Sequence, residues 1–83
     1  MKKKVFHLVI TENGDGGVVV LNVITDTNKE YLADIIEQDY NHTLNEDETI
    51  EVKPEEIYNT NSWIKVDMDL SYTWTIIEKE IEV

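Results

Sequence analysis

Hydrophobic positions recur along the chain at two different periods, and each change of period marks a change of element. From Lys4 to Glu12, Val5, His7 and Val9 interleave with Phe6, Leu8 and Ile10, so both faces of an extended segment are largely apolar, as in a central strand. The stretch "ENGDGG" supplies glycine, Asn and Asp for positive φ angles, and Val18 to Thr25 is again β-branched and apolar. Together these segments predict a β-hairpin. The period then lengthens: Tyr31, Leu32, Ile35, Ile36 and Tyr40 fall on one side of a helix, and Glu30, Asp34 and Glu37 line the other. A capping box of Thr27 with Glu30, and Asn41 as a left-handed stop, predict a helix from about Asn28 to Tyr40.

The second half reads less simply. "NEDE" forms an acidic loop, and the alternation of Thr49 to Lys53 predicts a short strand at a sheet edge, ended by Pro54. From Pro54 to Ser62 a helical turn anchored by Ile57 and Tyr58 and a plain loop fit equally well. Ile64, Val66 and Met68 then share one strand face, with Trp63, Lys65 and Asp67 on the other. A three-residue loop, Asp69-Leu70-Ser71, would set Met68 opposite Tyr72, Val66 opposite Trp74 and Ile64 opposite Ile76, giving one continuous apolar face on which Trp63 has no place. Beyond Ile76 the apolar parity switches to Ile77, Ile81 and Val83, which calls for a bulge or bend because an unbroken strand would carry Glu78 inward. The order β-β-α-β-β-β implies a two-layer α+β domain, an antiparallel sheet of four to five strands with one helix packed on one face.

Eighty-three residues make one domain with one small core. Cysteine is absent, which removes disulfides and thiolate metal sites, and a cytoplasmic setting is the default expectation. Lys2-Lys3-Lys4 resembles the charged start of a signal peptide, but the apolar run behind it is too short, and no stretch approaches the roughly 20 apolar residues of a membrane span. Asn41 to Thr43 fits a glycosylation acceptor, which has meaning only in a secreted chain.

Chemistry is poorly provided for. Asn13, Asp15 and Gly16 fall at calcium-loop positions, yet Thr11 and Asn22 stand where the first acid and the bidentate Glu belong. His7 lies in a strand and His42 just past the helix, neither with an orienting acid nearby in sequence, and Ser62 and Ser71 sit near turns. Asp67 with Asp69, and Glu46 to Glu48, are carboxylate groups of the kind a very acidic chain produces by chance. The expectation is a non-enzymatic protein with no cofactor or metal.

Charge is the outlying property: 18 acids against 7 lysines and no arginine, formal net charge -11. Such a surface repels nucleic acid and anionic lipid directly and favours a basic protein as partner. Two lines of carboxylate stand out, Glu30-Asp34-Glu37 along the helix and Glu78-Glu80-Glu82 on one face of the last strand, with successive charges about 6 Å apart. Asp47 and Glu48 in the acidic loop could fill the array towards the charge density of a duplex. In its small size, acidity, lack of Cys and Arg, and richness in Ile, Asn, Lys and Glu, the chain resembles the small proteins that phages of low-GC bacteria direct against host enzymes: anti-CRISPR proteins, anti-restriction DNA mimics and uracil-DNA glycosylase inhibitors. That resemblance implies an inhibitor occupying the basic nucleic-acid-binding surface of a host defence or DNA-processing protein. The competing expectation is an interaction or structural module that homodimerises through its sheet, pairing an edge strand near the acidic C-terminus, with the acids serving solubility.

Overall fold

The computed structural model describes residues 1–83 as one helix laid across a four-stranded antiparallel sheet. Strands β1 (Lys2–Gly14) and β2 (Gly17–Asp26) form the expected hairpin, α1 (Lys29–Asn41) follows, and a 3-10 turn (Pro54–Glu56) leads into β3 (Ser62–Asp67) and β4 (Leu70–Glu82). The sheet order is β2-β1-β4-β3, so the two longest strands are central and β2 and β3 are the edges. β4 is central only over Leu70–Thr75, where β3 flanks it; from Ile76 to Glu82 its only strand partner is β1, so its acidic C-terminal half is a sheet edge, as expected.

One side of the sheet meets the helix. Phe6, Leu8 and Ile10 from β1, with Trp74 and Ile76 from β4, pack against Leu32, Ala33, Ile36 and Tyr40, and Val52 and Ile57 close the core from the connecting segment. The hairpin turn is Asp15-Gly16, followed by Gly17 at φ 102°, a conformation that disfavours any side chain. β2 carries an extra residue, Leu21, between the pairs Ile10–Asn22 and Thr11–Val20, so its faces exchange parity at that bulge.

Several expectations are corrected. The helix is capped by Asn28, whose Oδ1 accepts from the amides of Glu30 and Tyr31, and not by Thr27; Asp26 in turn accepts from the Asn28 amide. Asn41 is the last helical residue, with His42 at the C-cap. The Thr49–Lys53 strand does not form. This segment is held by helix side chains instead: Asn41 donates to the Ile50 carbonyl and accepts from the Ile50 amide, and the Glu37 carboxylate accepts from the Val52 amide at 2.9 Å. Its backbone polar groups find partners without a neighbouring strand.

The last hairpin also has a different register. A two-residue turn at Met68-Asp69 pairs Asp67 with Leu70, Lys65 with Tyr72 and Trp63 with Trp74. Trp63 and Lys65 therefore face the helix, and Ile64 and Val66 lie exposed on the other side. Sequence parity fails here because Lys65 is buried: its stem crosses the core and its Nζ donates to the Tyr40 carbonyl at the helix C-terminus, 4.8 Å from the centre of the Tyr40 ring. β4 runs unbroken, with no bulge after Ile76. Glu78 does turn to the helix side, half-buried beside Lys4.

Candidate functional site: an acidic helix side

The sheet has two faces of opposite character. On the side away from the helix, β1 presents Lys3, Val5, His7, Val9 and Thr11, and β4 presents Ser71, Thr73, Thr75, Ile77, Lys79 and Ile81; the flanking strands add Val18, Val20, Val23 and Thr25, and Ser62, Ile64 and Val66. No carboxylate is among them. Every acid of the strands points to the helix side or sits in a turn, so the carboxylates of a chain of net charge -11 are segregated onto one side and the rim.

Within that side the carboxylates divide by what they touch. Glu12 accepts from the Tyr72 hydroxyl, Asp39 from the Trp74 indole at 2.7 Å, Glu48 from the Tyr40 hydroxyl and Glu56 from the Lys53 amide. The hydrogen bond from Tyr72 to Glu12, with some desolvation, raises the Tyr72 pKa; burial, then the bond to Glu48, raises that of Tyr40. Glu37, which accepts from Val52, is likewise a structural acceptor. By contrast Glu30 and Asp34 are exposed on α1 and neither carboxylate has a hydrogen-bond or ion-pair partner within the chain.

The loop acids are ordered by backbone geometry. Asn45 Oδ1 accepts from the Asp47 amide and its carbonyl from the Glu48 amide, a turn that holds Glu46 and Asp47 outward. Glu51 and Glu55 are also exposed along the segment that Asn41 and Glu37 tie to the helix.

The two carboxylate rows are thus not equivalent. Glu80 pairs across the strands with Lys4 and Glu82 with Lys2, on the same face, and Glu82 also approaches the Met1 amino group at 3.5 Å. Glu78 lies 3.9 Å from Lys4. The strand row is interleaved with positive charge. The helix row and the loop have only Lys29 and Lys53 beside them, since Lys65 is buried and Lys3 and Lys79 lie on the far face. Lys29 itself leans over the Phe6 ring.

Between α1 and β2 runs a shallow groove of about 450 Å³, bordered by Ile10, Asn22, Ile24, Asp34, Ile35, Gln38, Asp39 and His42. Asp39 was not a site candidate in the sequence, although a buried indole needs an acceptor and the helix is the only element positioned to supply one. No group of three or more His, Cys, Asp or Glu side chains is arranged to hold a metal ion, and no helix is long and apolar enough to cross a membrane.

No protein-family model matches the chain, and searches of curated proteins and of solved structures found no significant similarity.

Proposed function

We propose that this chain is a non-enzymatic binding protein whose acidic helix side occupies the basic, nucleic-acid-binding surface of a host defence or DNA-processing protein. The observation that carries the reading is the one-sided placement of carboxylates that far outnumber their cationic neighbours Lys29 and Lys53: Glu30 and Asp34 on α1, and Glu46, Asp47, Glu51 and Glu55 on the segment fastened beside it. Glu37 and Glu48 add charge to the same surface while holding its backbone and Tyr40 in place. Such an array is preorganised, because the turn at Asn45 and the Asn41 clamp fix the loop acids against the helix before a partner arrives. The groove beside the exposed, unpaired Asp34 carboxylate is the place on this side for a lysine or arginine side chain of the partner. Glu78, Glu80 and Glu82 contribute less to this surface, as Lys2 and Lys4 already face them.

The test is capture of basic proteins from bacterial lysate on immobilised chain at 50 and 500 mM NaCl, with duplex DNA as competitor. The reading expects a discrete target, lost at high salt and displaced by DNA, because exposed charge pairs are screened within about 10 Å at 0.1 M salt. The triple variant Glu30→Lys, Asp34→Lys, Asp47→Lys should weaken capture at least about 100-fold while keeping the fold. Binding that survives both salt and charge reversal would dismiss this function.

A further inference from the structure

We infer that the acid-free face of the sheet is a homodimer interface, packed against the same face of a second copy of this chain. It is independent of what the acidic side binds. The face lacks any covering layer, and it exposes Val18, Val20, Val23, Ile64, Val66 and Ile77; Val18 is 67% exposed and Ile77 48%. Antiparallel sheets tolerate a solvated face, but that face is then ordinarily polar. Here, in a chain with 18 acids, it carries none.

Area and charge together favour a second copy as the occupant. At about 3.3 Å per residue and 4.8 Å between strands, overlap along β1, β4 and part of β2 presents roughly 500 Å² each way, so a pair buries on the order of 1,000 Å², at the lower end of specific interfaces. The charges on this side are Lys3 and Lys79, both at one end of the sheet, opposite Ile81 and Val5 respectively. At the other end stand the two turns with Asp15 and Asp69. A two-fold axis running across the strands reverses their direction, so the lysine end of each copy meets the aspartate end of the other. The same operation turns both acidic helix sides outward, which keeps the carboxylates of the two copies apart. Face-to-face packing of two twisted sheets at about 30° is a standard sandwich geometry.

Sedimentation equilibrium at about 100 μM protein, in 50 and 500 mM NaCl, reads the proposal directly. The expected mass is twice 9.7 kDa at both salt concentrations, because the interface is mainly apolar. Ile77→Lys places like charges beside the two-fold, and Val66→Lys, at the aspartate end, sets a new lysine against the Lys3 and Lys79 end of the other copy. Each is on an exposed side chain and should weaken association at least about 100-fold with unchanged far-UV circular dichroism. A wild-type monomer at both salt concentrations overturns the inference. So does a dimer that persists in both folded variants, which would place the contact at an open edge of the sheet. If one variant unfolds, the other still decides.

Discussion

Lys65 is the residue whose environment departs most from its chemistry. It is 1% exposed, and its ammonium is met by a helix-terminal carbonyl and an aromatic face, with no carboxylate in ion-pair contact. Lys65→Met should lower the urea-unfolding free energy by about 1–2 kcal/mol, through loss of the dipole and cation–π contacts, and Lys65→Ala by about 3 kcal/mol because the stem's packing also goes. Equal losses in the two variants would show that the charge alone matters. Tyr40 and Tyr72 give a second prediction. Both have folded pKa values above the ordinary 10.0, so their neutral, donating forms favour the folded state. That contribution is complete below pH 10 and disappears as pH rises through the raised folded values. The urea midpoint should therefore fall above pH 10, and Tyr72→Phe should flatten the fall; an identical pH slope in the variant would refute the role of the Glu12 bond. Burial of Lys65 was not legible in sequence, where a lysine between Ile64 and Val66 reads as the outer face of a strand.

Among the elements, the segment from Ile50 to Val52 shows how side chains can replace a strand partner. Asn41 makes both a donated and an accepted bond to Ile50, and Glu37 takes the Val52 amide. Asn41→Ala should cost about 2–3 kcal/mol, since it leaves two backbone groups without partners, and hydrogen exchange at Ile50 and Val52 should quicken before that of the sheet. Uniform acceleration across the sheet would mean that the clamp is part of one cooperative unit. The alternation of Thr49 to Lys53 was legible, and extended backbone followed from it, but its partner was not, because only the tertiary fold brings the helix flank alongside. β4 fails the other way: its change of parity suggested a break, yet the strand continues past the helix, where the sheet has no core to fill and Glu78 can meet Lys4.

At the scale of the whole molecule, the sheet separates two surfaces with opposite expected responses to salt. Contact through Glu30, Asp34 and the loop acids should weaken as ionic strength rises, and contact through Val20, Val66 and Ile77 should not. The triple charge reversal that removes the first surface should leave stability nearly unchanged. Relief of self-repulsion offsets the loss of about 0.5 kcal/mol from Glu30 in the first helical turn. The hairpin, the helix and the two-layer architecture were legible because period-2 and helical patterns in Lys4–Glu12, Val18–Thr25 and Tyr31–Tyr40 are local properties. The candidate site was legible as composition and as the helix row. That Glu37 and Glu48 are structural acceptors, and that Glu78, Glu80 and Glu82 stand among lysines, depends on residues distant in sequence.

Sequence by itself determined the identity of the main elements and the excess of negative charge, since backbone propensity, side-chain alternation and titration at neutral pH need no partner. Tertiary structure alone decided where that charge stands. Pairing β1 with β4 sets even-numbered acids towards the helix and odd-numbered valines, threonines and isoleucines away from it, because cross-strand register assigns a whole strand's side chains to one face or the other at once.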